Sequence, residues 1–310
     1  MTGNPKQTTS NILMIEPVSF GFNDQTAVNN YFQQRGNLSD ADIQSWALVE
    51  FNQMVANLRS KGLNIIVVRD ICNPPTPDSI FPNNWISFHQ DGRVVLYPMY
   101  AENRRAERRT DIISLLTEEG FRFSDIVDYT TFEKQNRFLE GTGSMVFDHV
   151  NKIAYAALSE RTDKAIFLQF CKDFDFKPVY FLAHQTVNGK RLPIYHTNVM
   201  MCIGDLYSIV CLAAIDNKSE RDLVINLLIQ SGKEIIEMSD AQMQQFACNM
   251  LQVENKKGSR FQVMSQSAYD TLTQQQIERL ISYNKIITIA IPTIEKYGGG
   301  SVRCMMAEVF

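Results

Sequence analysis

A chain of 310 residues, 45% of them hydrophobic, can bury a large core, and about 150 residues per domain would give two domains unless a repeat intervenes. A net charge of −4 and a pI near 5.7 leave no basic footprint for nucleic acid, and no apolar run approaches the roughly 18 residues of a membrane span, so the expected partner is a small molecule. Six cysteines without CxxC pairs and four histidines without ligand spacing argue against a disulfide framework, a metal site or a cofactor held by them, and imply a reducing, cytoplasmic compartment with no visible signal or anchor.

The polar stretch Met1 to Ser10 reads as a disordered or extended lead-in, and Asn11 to Phe20 as an apolar strand. A polar loop follows. Asp40 is then expected to cap a helix carrying Ile43, Ala47, Leu48, Phe51, Met54, Val55 and Leu58 at helical spacing, with Gly62 as the stop. Leu63 to Val68 is a short strand, Asn73 to Pro82 a proline-rich loop, and Asn84 to Met99 a hairpin turned at Gln90-Asp91-Gly92. The unit then recurs, with a helix from Arg104 to Glu119, a strand from Phe121 to Asp128 and a hairpin from Gly143 to Leu158. A third copy places a helix at Ser159 to Asp173, a strand at Phe176 to Leu182 and a hairpin at Asn198 to Ala213. In the fourth, Ser219 with Asp222 resembles a capping box, Gly232 stops the helix, Glu234 to Met238 is a strand, and Asn249 to Gln266 a hairpin. Thr273 with Gln276 starts the last helix, Ile286 to Ile291 is a strand, and Ser301 to Phe310 is half a hairpin.

Hairpin mouths at Asn84, Gly143, Asn198, Asn249 and Ser301 recur at roughly 55-residue intervals, which makes five copies of one unit. Five units imply a pseudo-symmetric α/β propeller in which residues 11–310 form a single domain. The orphan strand at each end would pair to close the ring, leaving a central hollow where the mouths converge. The alternative is an ordinary α/β domain with evenly spaced elements.

Chemistry concentrates at those mouths. Gly298-Gly299-Gly300 suits a loop passing close to a ligand, and it delivers Cys304, with Arg303 as a neighbouring cation that would favour thiolate. The plainer reading of Cys304 is a small buried residue on a last strand. The other mouths carry Asp78 and Phe81 to Trp85, Glu140 before Gly141, and His196-Thr197-Asn198, while the fourth offers only Cys248-Asn249. A thiol, an imidazole and a carboxylate at equivalent points of a repeat suit nucleophilic catalysis with acid and base help. His89, His149 and His184 read as structural or surface residues, and Arg104, Arg105, Arg108 and Arg109, interleaved with Glu102 and Glu107, as mostly a solvated helix face.

These residues resemble the guanidino-group modifying enzymes of the pentein superfamily: arginine deiminases, dimethylarginine dimethylaminohydrolases and amidinotransferases. Pro77 to Phe81 is similar to the loop that brings an aspartate, here Asp78, to the substrate. Leu139-Glu140-Gly141 resembles the segment whose acid contacts the catalytic histidine, here His196. Ser159-Glu160-Arg161-Thr162 resembles the Ser-x-Arg-Thr motif whose arginine binds the substrate α-carboxylate, and Arg104 or Arg105 falls near a second such arginine. Cys304 takes the nucleophile position. The resemblance implies a pentein fold, no cofactor or metal, a small guanidino or ureido amino acid as partner, and leaves self-association into a homo-oligomer open.

Where dimethylarginine hydrolases carry acids after the loop aspartate, this chain has Asn83 and Asn84, and Asn198 stands where arginine deiminases have an aspartate. An amide can donate to a carbonyl oxygen whereas a carboxylate only accepts, so a neutral ureido substrate such as citrulline is favoured over arginine. The function expected is hydrolysis of a C–N bond at that carbon through a covalent cysteine intermediate. Amidino transfer to an amine and a non-catalytic binding role of the same architecture stay open.

Overall fold

The computed structural model describes residues 5–310. In chain order its strands are β1 (Asn11–Glu16), β2 (Asn64–Arg69), β3 (Ile86–Phe88), β4 (Arg93–Leu96), β5 (Asp125–Asp128), β6 (Val146–Asp148), β7 (Ile153–Ala157), β8 (Lys177–Phe181), β9 (His184–Val187), β10 (Lys190–Pro193), β11 (Met201–Ile203), β12 (Tyr207–Val210), β13 (Glu234–Glu237), β14 (Leu251–Glu254), β15 (Arg260–Ser265), β16 (Lys285–Ile289) and β17 (Ala307–Val309). Five three-stranded sheets share one design: β3-β4-β5, β6-β7-β8, β11-β12-β13, β14-β15-β16 and β17-β1-β2. In each, the first two strands are antiparallel and the last two parallel.

A parallel pair requires a crossover, and helices Asp40–Ser60, Asp111–Glu118, Lys164–Asp173, Lys218–Gln230 and Gln274–Tyr283 supply it. Middle strands such as β7 and β12 are buried along their whole length, which explains their near-continuous apolar sequence. Apolar helix faces close the outside: Ile43, Ala47, Phe51, Met54 and Leu58 of the first crossover pack into one core cluster with Ile12, Met14 and Ile65. The chain ends meet, with Asn11 opposite Val309 and Leu13 opposite Ala307. The sheets remain separate three-stranded units, and no continuous closed sheet is present among the described residues. No helix among them is long and apolar enough to cross a membrane.

Several local expectations are corrected. Ser39, not Asp40, caps the first long helix, its hydroxyl accepting from the Asp42 N–H. Asn217, not Ser219, caps Lys218–Gln230, because its side-chain oxygen reaches the N–H groups of both Ser219 and Glu220. The box of Thr273 with Gln276 is present as expected. The helix expected over Arg104 to Glu119 is instead a 3₁₀ turn, Glu102–Glu107, an extended Arg108 and the helix Asp111–Glu118. The break lets Arg104 turn inward. The β9–β10 hairpin is an addition to the five-fold plan, turned at Asn188-Gly189 with both residues at positive φ. Of the lead-in, residues 1–4 lie outside the described part, while Gln7, Thr8 and Thr9 are buried and the Gln7 amide donates to the carbonyls of Phe147 and Ile203.

His89 is buried against Phe174, ring centroids 4.5 Å apart, with Nε2 2.8 Å from the Ser87 hydroxyl. Burial pushes its pKa from 6.5 down to about 3. A base whose folded pKa is depressed contributes stability that is complete above its unfolded pKa and lost as pH falls from there toward the folded value. Between pH 7 and 4 that loss is about 3 kcal/mol. His89→Gln retains a donor for Ser87 but cannot charge, so its unfolding free energy from denaturant titration should fall less over that interval, by about that amount. Parallel pH profiles for variant and wild type would refute the assignment.

Candidate active site

The five hairpin mouths meet. Asn249 Nδ2 and Asn198 Nδ2 lie 3.4 and 3.5 Å from the Cys304 sulfur. A Cβ added to Gly143 would stand 2.5 Å from Asn84 Nδ2 and 2.8 Å from the His196 ring, so only glycine fits between them.

The glycine run, expected as a loop, is the end of a helix. Pro292–Gly298 is helical, with Pro292 at its start and Gly299 as a left-handed C-cap at φ 62°. A tight turn follows, in which the Cys304 N–H donates to the Ser301 carbonyl and the Ser301 hydroxyl to Glu295. The turn presents the sulfur inward, 3% exposed as a residue. Arg303 goes the other way, correcting the expectation that it flanks the thiol. Its guanidinium donates to the Met306 carbonyl and to Glu308. Cys171, Cys202 and Cys211 are pushed up to about 12 by burial, and burial also raises Cys248, which leaves Cys72 as the exposed thiol.

His196 and Glu140 form the second element. His196 Nε2 lies 2.7 Å from Glu140 Oε2, and the Tyr100 N–H donates to Oε1 at 2.9 Å. Glu140 is fully buried. Burial works to raise its carboxyl, but Arg161 foremost, then His196 and Arg104, outweigh it and hold the pKa down at about 2. Burial lowers His196 to about 4 against the pull of Glu140. Near neutral pH the pair is therefore carboxylate and neutral imidazole. A carboxylate only accepts, so Nε2 carries the proton and Nδ1 keeps a lone pair able to take one.

Asp78 is buried, accepting from the Asn23 amide at 2.8 Å and the Thr26 hydroxyl at 3.2 Å through Oδ2. Burial raises its pKa against Arg104. Arg104, expected partly on a solvated face, is buried instead: it forks onto Glu107 and donates to Asn84 Oδ1 at 2.8 Å. Arg105 is not brought to the site, since it donates to the Met99 carbonyl and pairs with Glu133. Arg161 is 1% exposed, gives Nε to Asn29 Oδ1 at 2.8 Å and Nη2 to the Thr26 carbonyl at 2.8 Å, and holds Nη1 3.6 Å from Glu140. Asn83 is buried beside Asn84. Asp78 Oδ1, Asn83 Nδ2 and Asn198 Oδ1 have no hydrogen-bond partner among the described residues. Buried polar atoms are rarely left so, and of the three Asp78 Oδ1 belongs to a residue that lines the cavity, where a polar ligand could pair with it.

Sequence reading missed the cover. The segment from Asn23 to Gln33, expected only as a polar loop, supplies every partner of Asp78 Oδ2 and Arg161 just named except Glu140. It is also sewn to the glycine run: Asn30 donates to the carbonyls of Gly298 and Gly299, and Gln33 to that of Tyr297. The density of amides in Asn23, Asn29, Asn30 and Gln33 was the available signal. Under this cover the cavity bounded by Asp78, Arg104, Arg161, His196 and Cys304 is about 10 Å³, and a cavity of about 340 Å³ adjoins it across Arg161 and Tyr195.

Residues 16–310 match the family model described as N,N dimethylarginine dimethylhydrolase, eukaryotic. Comparison with curated proteins returns no match. Among solved structures, apo ArgZ, an arginine dihydrolase from the ornithine-ammonia cycle in cyanobacteria, aligns with a TM-score of 0.72 at 18% identity over 96% of this chain. This chain spans 40% of that protein. The product-bound N-terminal domain of ArgZ aligns at 0.71 and 18% identity over 97% of both chains. A dimethylarginine dimethylaminohydrolase in adduct with 4-chloro-2-hydroxymethylpyridine gives 0.64 at 15% identity, over 96% of this chain and 98% of its own. These likenesses carry the pentein-like α/β fold. With the family match extending over nearly the whole sequence, the chain belongs to the N,N dimethylarginine dimethylhydrolase family, among the guanidino-group modifying enzymes of the pentein superfamily.

Proposed function

We propose that this protein is a hydrolase that cleaves a C–N bond at the guanidino or ureido carbon of an arginine-like or citrulline-like amino acid, with Cys304 as the nucleophile. The observation that carries the reading is the meeting of Cys304 with the His196–Glu140 pair and Asp78 around one buried cavity. Cys304 loses its proton to Nδ1 of His196, and the sulfur adds to the planar carbon. His196 passes that proton to the leaving nitrogen, the C–N bond breaks, and ammonia or an amine departs from a covalent thiouronium or thiocarbamate. Water then gives its proton to His196 and its hydroxide to the same carbon, the S–C bond breaks, and the proton returns to sulfur.

Glu140 fixes the imidazole by the bond to Nε2. Arg161 is the candidate grip for the substrate carboxylate, which would replace Asn29 Oδ1 on its fork as the amino-acid end extends toward the larger cavity. Residues 11–310 act as one catalytic domain in this reading. The five sheets are its blades in a closed ring, an arrangement supported by the pairing of β1 with β17 and the adjacency of β17 to β3, β6 to β11 and β11 to β14.

The citrulline preference is supported by the unpaired Asn83 amide and by the amides of Asn84 and Asn198, which keep an N–H able to donate to a ureido oxygen. A second reading, a cationic guanidino substrate, is favoured by the unpaired Oδ1 of Asp78, a buried carboxyl that lines the cavity. A mass-spectrometric screen of arginine, methylated arginines, citrulline and agmatine, with and without glycine as an amine acceptor, separates them. The expected result is ammonia or amine release with a substrate-derived adduct on the Cys304 peptide. Arginine or methylarginine turnover well above citrulline would remove the ureido preference, a glycine-derived product would indicate transfer, and no turnover of any member would sink the reaction.

A further inference from the structure

We propose that Asn249 is a catalytic residue whose side-chain amide cradles the Cys304 sulfur and stabilises it as thiolate. The inference rests on Cys304 being the nucleophile. Nδ2 of Asn249 stands 3.4 Å from Sγ and 3.0 Å from the Asn198 carbonyl, and Asn198 aims its own Nδ2 at the same sulfur from 3.5 Å. Two N–H donors from two different hairpin mouths thus converge on one atom. The opposite end of the same amide, Oδ1, lies 3.7 Å from Sγ. The thiol can therefore donate to Oδ1 and the thiolate accept from Nδ2, so this one side chain serves both protonation states.

The chain is shaped to put Asn249 there. Phe246 is held left-handed at φ 60°, an uncommon state for a bulky residue, and the Asn249 N–H donates back to the Phe246 carbonyl at 2.8 Å. The side chain is fully buried, so its donors are fixed rather than shared with solvent.

Neutral dipoles are needed because the nearby cations are engaged elsewhere. On the cavity side, Arg104 forks onto Glu107 and Arg161 onto Asn29, while Asp78 and Glu140 are acidic and His196 is neutral near pH 7. Behind the turn, Arg303 pairs with Glu308. Hydrogen bonds to an anion are about twice as strong as those between neutral groups, so removing one donor in a buried site moves the thiol titration appreciably.

The difference in far-ultraviolet thiolate absorbance between the full chain and its Cys304→Ala form reports the titration of this sulfur without any substrate. Asn249→Ala, which removes the donor, is expected to raise the midpoint by about one pH unit, a tenfold loss of thiolate at a fixed pH. Asn249→Asp, which replaces the donor with an acceptor of the same shape, should raise it further. Midpoints unchanged from wild type in both variants, each showing native circular dichroism, would overturn the assignment. If the midpoints move as expected while no guanidino or ureido compound is turned over, the sulfur cradle stands and the proposed reaction fails.

Discussion

Cys304→Ser is expected to lower kcat/KM by roughly 10⁴-fold or more while leaving the fold in place. The serine oxygen would sit where the sulfur does, between the amides of Asn198 and Asn249, and a hydroxyl can use the same donors and acceptor. Packing loss is small, so the melting transition should shift by no more than about 1 kcal/mol in stability. What changes is nucleophilicity. A hydroxyl ionises far less readily than a thiol, and the base on hand is an imidazole that burial holds at about 4. No other cysteine can stand in, because the four remaining buried thiols are held neutral by desolvation and Cys72 is exposed on a loop. Steady-state kinetics with the best compound from the substrate screen, alongside thermal melts, test this. A serine variant that keeps more than about a tenth of wild-type activity would rule out covalent catalysis by this residue.

The repeat could be read from sequence because its punctuation is local. Gly62, Gly120 and Gly232 end helices at φ of 82°, 95° and 77°, a conformation that residues with a Cβ avoid, and each is followed within a few residues by a short strand. The mouths could be read because the residues there are chemically unlike the apolar strands that follow. Other features depend on partners far away in the chain. Arg104 lies among Glu102, Arg105 and Glu107 in a pattern that suits a solvated face, and only its contacts with Asn84 and Asp78 reveal a buried ion cluster. Arg303 stands beside Cys304 in sequence yet serves Glu308 on the far side of the turn. Asn249 had no signal beyond being an amide at a hairpin mouth. The Asn23 to Gln33 cover is irregular backbone held by side-chain amides, which periodicity does not register, although Asn188-Gly189 should have announced the extra hairpin.

Glu140→Gln should be nearly as damaging as loss of the thiol, for a different reason. An amide has the shape of the carboxylate but not its two acceptors: if its oxygen serves the Tyr100 N–H, its NH₂ faces His196 Nε2. Two donors cannot share that 2.7 Å contact, so the imidazole must shift its proton to Nδ1, the nitrogen that should accept from the thiol. A general base in the wrong tautomer loses about 10²- to 10⁴-fold in kcat. The substitution also removes the negative charge that lies 3.6 Å from Arg161 and 4.0 Å from Arg104. Breaking a buried pair from one side costs about 3–5 kcal/mol, so the melting temperature should fall as well. Glu140→Asp separates the two effects: it keeps the charge near both arginines but draws the carboxylate back from His196, so stability should recover while kcat stays low. Gln and Asp variants both within tenfold of wild-type kcat would show that His196 does not depend on this acid. Recovery of kcat in step with melting temperature would make Glu140 a counter-ion for Arg161 and Arg104 rather than the group that sets the imidazole's proton.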